Sequence, residues 1–395
     1  EECLCLSLAI EEVFVFLCAQ SQEPESFQLV CRNGFYYIEA ACFFSSHVLP
    51  TKVFNMTASL ELEDETALAE LGLLLAARSV DKFRLTREKD GGMGLYLTVE
   101  KHYPQANAGT AALLSDSGFY LAEPGPEEIK QFAKAADVLY ESEAPAFCRF
   151  PGKVVDMMKS GEYGIAVAKD GKGNVGGAFL WRYNGKMAEC YGPYIFSPQA
   201  KLAEAIVENA VGKLARHNVL GMFVRQPTRQ MPDGYFEELG EYKLKAPDGK
   251  VTVHRALCRQ MEEDNGLSVF AHPQIEGFVR ETYSHLALPR QIRLTMNEGE
   301  AGLPNSVLAS QVFRRLKTAT LSITVAGEDA RENLAMHAAV LRQEGMKNIF
   351  LELDLGDAEE VNFVPAILAA GFVPQLIVPW GGKGDLAVFW HVGEE

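Results

Sequence analysis

The residues of this 395-residue chain whose types and spacing suit chemistry gather between positions 187 and 241. The run Ala188-Glu189-Cys190-Tyr191-Gly192-Pro193-Tyr194-Ile195-Phe196 reads as a strand with glycine and proline side by side at its centre. Proline donates no ladder hydrogen bond and glycine marks bulges, so this strand is not expected to pair regularly along its length. Ser197-Pro198 then read as N-cap and first residue of a helix running to His217. A helix start offers unpaired amides and a partial positive charge, which suits a phosphate. Glu189, and Glu237 within Tyr235-Phe236-Glu237-Glu238-Leu239-Gly240-Glu241, are carboxylates able to accept a proton, or else a solvated surface.

The elements that must position these residues form a block over 118–262. Apolar periodicity predicts a strand at 119–122, helices at 126–140 and 151–160, and a hairpin of 163–169 with 175–183. The broken strand follows at 187–196, then the long helix, a strand at 219–225, a helix at 235–239 and a last hairpin turning at Pro247-Asp248-Gly249. This order, with the defect in its fourth strand, resembles the GNAT acetyltransferase superfamily over about 140 residues.

The resemblance implies an acetyl-CoA or other acyl-CoA donor entering between two parted strands. It places cofactor contacts at Tyr194, Ile195, Phe196, Ser197, Gln199, Ala200 and Lys201. It also implies an acid that protonates the departing thiolate, in an aromatic–Tyr–Glu–x–Leu–Gly–Phe end motif. Here Phe236 holds the tyrosine's slot, so Tyr235 is either a displaced acid or a packing aromatic; Glu189 is the candidate base. The family's phosphate loop, Gln/Arg-x-x-Gly-x-Gly/Ala, is matched only in position, because 197–202 contains no glycine.

A third block over 268–395 repeats the ending of the second: strand, helix, strand, short helix, strand, strand. It resembles a second, degenerate GNAT domain. Its loop Val325-Ala326-Gly327-Glu328-Asp329-Ala330 places two carboxylates where a phosphate would sit, and Asp329 reads as an ordinary N-cap. Pro379-Trp380-Gly381-Gly382-Lys383-Gly384-Asp385 is glycine-rich but joins two strands, so it reads as a hairpin turn.

The first block, 1–108, is predicted as a helix (4–20), strands (27–31 and 36–43), a helix (66–80) and a hairpin (82–87 with 95–101). Ile10-Glu11-Glu12-Val13-Phe14-Val15-Phe16 and Glu70-Leu71-Gly72-Leu73 resemble the histidine-kinase-type ATPase fold, closest to anti-sigma-factor serine kinases. Glu12 fits that family's base. Phe16 replaces the asparagine that would hold magnesium, a cation that demands oxygen ligands, so ATP turnover is not expected. With no element before the first helix, residues are expected to precede Glu1.

The expected fold class is therefore α/β (α+β): a degenerate ATPase-like sandwich followed by two GNAT-like mixed-sheet domains. The formal net charge of −16 argues against nucleic acid and anionic membranes. Eight cysteines without a CxxC pair, mostly in apolar runs, read as reduced core residues of a cytoplasmic protein. The eight histidines are dispersed, so no metal site is predicted. Two functional readings follow. One is an acyl-CoA-dependent N-acyltransferase acting on a small-molecule or protein amine. The other is a non-catalytic regulator that binds a protein partner.

Overall fold

The structure is a computed structural model describing residues 1–20, 26–44, 54–55, 65–88, 92–106, 118–199, 201–246, 249–296, 303–313 and 316–393. It is a mixed α/β protein of three units.

In the first unit, α1 (Glu2–Gln20) precedes β1 (Phe27–Asn33) and β2 (Tyr37–Phe44), and α2 (Glu65–Ser79) precedes β3 (Lys82–Arg87) and β4 (Met93–Glu100). The strands form an antiparallel sheet in the order β1-β2-β4-β3. Helix α1 buries Leu6, Ala9, Val13 and Phe16, a helical stripe, against Ala40, Cys42, Leu95 and Leu97 of the sheet. Gly72 lies inside α2, where the Glu12 carboxylate occupies the space a side chain would need. The residues singled out for an ATPase thus serve helix packing, and Phe16 is wholly buried. Ala40, Ala41, Cys42 and Phe44 of β2 are buried.

The middle unit comprises β5 (Tyr120–Ala122), α3 (Pro126–Leu139), α4 (Pro151–Lys159), β6 (Tyr163–Lys169), β7 (Val175–Asn184), β8 (Met187–Ile195), α5 (Leu202–Leu214), β9 (Gly221–Val224), β10 (Glu237–Lys245) and β11 (Val251–Gln260). Its sheet runs β10-β11-β9-β8-β7-β6-β5, and only β8 and β9 pair in parallel. A parallel pair needs a crossover, which α5 supplies. Alternate residues of each strand divide between two cores. Ile165, Val167 and Leu180 meet α3 and α4, whereas Ala166, Phe179 and Trp181 meet α5.

The third unit opens with β12 (Leu267–Ala271), α6 (Glu276–His285) and β13 (Arg290–Leu294), the two strands pairing in parallel. Next come β14 (Val307–Phe313), β15 (Thr318–Val325), α7 (Ala330–Gln343), β16 (Asn348–Asp354), α8 (Ala358–Val361), α9 (Val364–Ala369), β17 (Phe372–Val378) and β18 (Leu386–His391). The sheet order β14-β15-β16-β18-β17 repeats β7-β8-β9-β11-β10 of the middle unit. Even the bond closing each parallel pair recurs, Leu220 N to Lys186 O at 2.8 Å and Lys347 N to Lys317 O at 2.7 Å. The two sheets meet at β10 and β17, where Gln375 Oε1 accepts from Lys243 N at 3.1 Å.

Several expectations are corrected. Residues 235–239 form no helix: β10 begins at Glu237, and its alternation is interrupted by a bulge at Gly240, whose φ of +149° favours glycine. That bulge disguised the strand as helical periodicity. Strands β12 and β14 were not anticipated. Helix α5 starts at Leu202, with Lys201 in the left-handed conformation before it, and not at Ser197-Pro198. Asp329 does precede α7, but its carboxylate accepts from Ser306 N and Oγ instead of capping the helix. Cys3, Cys18 and Cys31 are exposed, not core residues; all eight cysteines are free. No helix among the described residues is long and apolar enough to cross a membrane.

Candidate functional site

The defect in β8 is present. Ala178 pairs with Tyr194 and Leu180 with Tyr191, so β8 carries one extra residue at Gly192-Pro193. The parallel ladder to β9 ends at Glu189 opposite Phe223. The chains touch again where Gly192 bridges Pro227 and Thr228 Oγ1 donates to Pro193 O at 2.5 Å. Between these points lies a short window, Cys190 and Tyr191 facing Val224 to Gln226, without main-chain pairing.

Beyond the bend, the strand edge is engaged. Ile195 N donates to Tyr140 Oη at 2.7 Å, and that hydroxyl donates to Ile195 O at 3.0 Å. Tyr194 is buried edge-on to Tyr140, ring centroids 4.9 Å apart, and its hydroxyl donates to Glu143 O. Phe196 joins the same core. In the loop that follows, Ser197 Oγ accepts from Gln199 N at 3.4 Å, Gln199 and Lys201 are exposed, and Ala200 lies outside the described residues.

The window opens into a cavity of about 800 Å³ where the three units meet. Tyr163, Arg182, Glu189 and Tyr191 line it from the middle sheet, with Arg225 and Gln226 just past β9. Lys82 and Glu100 face it from the first unit, and Gln311, Thr320 and Glu352 from the third. Strand repetition explains this arrangement. Arg182 opposes Glu189 on β7 and β8, and Gln311 opposes Thr320 at the corresponding place on β14 and β15. The pair is charged in the middle unit and neutral in the third.

Arg225 organises the charged wall. Its Nη2 lies 2.7 Å from Glu352 Oε1 and its Nε 3.2 Å from Glu189 Oε1, although the latter contact lacks hydrogen-bond geometry. Glu100 pairs with both Lys82 and Lys153. Burial keeps the Tyr191 phenol and the Cys190 thiol well above their usual ranges, with the nearby Glu189 charge adding to both. Burial likewise pushes Tyr163 up to about 12.

On the third unit's wall, the Glu360 carboxyl is pushed up to about 7, first by burial and then by the charges of Asp354 and Asp357, against the hydrogen bond it accepts from Asp354 N. Asp354 itself fills the glycine-rich turn between β17 and β18. Its carboxylate accepts from Gly356 N, Lys383 N and Gly384 N at 2.8, 2.6 and 3.0 Å. The turn is an anion nest occupied by the chain's own carboxylate.

The predicted site residues are thus only partly brought together. Glu189 lines the cavity. Tyr235 does not; it packs in the core on the α5 side of the sheet, and its carbonyl accepts from Arg259 Nη1 at 2.8 Å. Glu237 is exposed at the start of β10. Sequence reasoning missed Arg182, Arg225, Glu352 and Glu360. A charge interrupting an apolar strand, as in Ile349-Phe350-Leu351-Glu352-Leu353, was the available signal.

No family model and no curated protein matches the chain. Among solved structures it is similar to an acetyltransferase of the GNAT family from Staphylococcus aureus Mu50, at 12% identity and a TM-score of 0.27. That match covers 37% of this chain and 100% of the other. It is also similar to the PaiA N-acetyltransferase from Thermoplasma acidophilum, solved in complex with coenzyme A, at 9% identity and a TM-score of 0.25, over 36% of this chain and 99% of that one.

Proposed function

We propose that the middle unit is an acyl-CoA-dependent N-acyltransferase whose amine acceptor is held in the cavity between the units. One observation carries this reading: the cavity is lined from both sides of the unpaired window, by Cys190 and Tyr191 of β8 and by Arg225 and Gln226 after β9. A donor entering between the strands would there meet an acceptor from the cavity.

The strand edge fits such a donor. Ile195 presents one N–H and one C=O to the gap, and Tyr140's hydroxyl satisfies both as a stand-in for an amide. Ile195 and the loop 197–201 would hold acyl-CoA, which supplies an acyl group activated as a thioester. Glu189 faces the cavity and takes the proton that the amine loses as its nitrogen–carbon bond forms. Tyr191, kept protonated by burial, replaces Tyr235 as the hydroxyl at the opening and would supply the proton for the thiolate that acyl-CoA leaves behind. Holding the two reactants together supplies much of the rate.

A second reading, a ligand-binding regulator without turnover, is favoured by the prior engagement of Glu189 with Arg225 and of Ile195 with Tyr140. Calorimetry with acetyl-CoA, followed by a thiol-release assay against a panel of primary amines, separates the two. Saturable binding with acceptor-dependent thiol release supports transfer. Binding without release supports the regulator. Absence of acetyl-CoA binding overturns acyl transfer.

A further inference from the structure

Arg182 and Glu189 oppose one another across β7 and β8, and both line the cavity. Neither has a hydrogen-bond partner among the described residues. The Arg182 guanidinium lies over the Tyr163 ring, its centroid 5.9 Å away, and feels the Glu189 charge without bonding to it, while Glu189 meets Arg225 outside hydrogen-bond geometry. Neighbouring charges are already met: Glu100 holds Lys82 and Lys153, and Glu352 holds Arg225. A partly buried charge left without a hydrogen bond is costly, and here two of opposite sign stand on adjacent strands.

Side chains directly opposed on antiparallel strands have Cβ atoms about 5 Å apart, so their head groups can converge on one small molecule. An inorganic anion would satisfy Arg182 alone, and a simple amine Glu189 alone. The geometry points to a zwitterionic α-amino acid as the cavity's ligand, its carboxylate on Arg182 and its ammonium on Glu189. This deepens the acyl-transfer reading, on which it rests for the ligand's role as acceptor. The neutral pair Gln311 and Thr320, which lines the cavity from the third unit beside Glu352, offers the ligand's side chain uncharged contacts.

Calorimetry on the full chain without acyl-CoA tests the assignment, using L-phenylalanine, L-glutamine, L-lysine and L-glutamate as probes. The tightest of these should lose roughly 10- to 100-fold in affinity when replaced by its decarboxylated amine or its N-acetyl form. Arg182→Gln and Glu189→Gln should each cause a similar loss, with Arg182→Lys restoring part of it. The urea midpoint of unliganded Arg182→Gln should change little, because the guanidinium has no hydrogen bond to lose. Failure of all four probes to bind, or binding unaffected by both variants, overturns the proposal. A lowered midpoint with unchanged binding does so too, making Arg182 architectural. Binding without any acetyl transfer sinks only the transfer reading, whereas transfer to amines that need no carboxylate sinks only this one.

Discussion

Arg225 and Glu352 stand two residues beyond Phe223 and Phe350, at matching positions of two repeated strand pairs, and meet at 2.7 Å. The contact joins the middle unit to the third at the cavity wall, and Glu189 approaches the same guanidinium. Both Arg225 and Glu189 are 18% exposed in their side chains, so water screens them weakly. Replacing Arg225 by methionine strands two carboxylates and should lower stability by about 3–5 kcal/mol, read from urea unfolding. Adding Glu189→Gln and Glu352→Gln should recover most of that loss. An equal loss in the triple variant would assign the effect to shape, not charge.

Glu360 predicts a pH dependence. Its carboxyl titrates at about 7 in the folded protein, against an ordinary value of 4.5. Between those values the folded state keeps a proton that the unfolded state releases. Stability should therefore fall as pH rises from about 4.5 through about 7, by up to about 3 kcal/mol, and change little above that from this group. Glu360→Gln keeps an oxygen for Asp354 N and should remove this part of the slope, as measured by urea unfolding at fixed pH values.

Tyr140→Phe removes the hydroxyl that serves both backbone groups of Ile195. The bare protein should lose about 1–3 kcal/mol. If acyl-CoA uses that strand edge, acetyl-CoA should bind the variant more tightly than the wild type and return part of the lost stability in a thermal-shift measurement. Unchanged acetyl-CoA affinity would place the donor elsewhere.

Gly384→Ala tests the nest around Asp354. A methyl group there would lie 2.7 Å from Gly356 Cα and N, backbone atoms unable to swing aside. A loss of about 1–3 kcal/mol is expected, with normal acetyl-CoA binding because the nest holds the chain's own carboxylate. A matching loss of acetyl-CoA affinity would mean that the turn reaches the ligand.

Much of the architecture was legible in the sequence because its signals are local. The helical stripe of α1, the hairpin of β6 and β7, and the Gly192-Pro193 break depend on neighbours in the chain. The shared ending of the second and third blocks was visible for the same reason. What escaped was set by distant partners. Residues 235–239 looked helical because the bulge at Gly240 breaks the alternation of β10 there, and the pairing of Glu237 and Glu238 with β11 is visible only in three dimensions. Arg182, Arg225, Glu352 and Glu360 carried no motif that singled them out, since only the meeting of three units turns them toward one cavity. Tyr235 lies beside the motif slot that Phe236 holds, and it packs in the core on the α5 side of the sheet.

The edge-to-edge seam of β10 with β17 has a consequence for how the binding surface diversifies. In an assembly of two identical chains, every substitution appears twice, so both faces of a shared chamber must change together. Covalent tethering of the two halves lifts that constraint. One half retains arginine and glutamate while its sibling carries glutamine and threonine at the mirrored places, and the chamber gains a direction that no symmetric pair could give it.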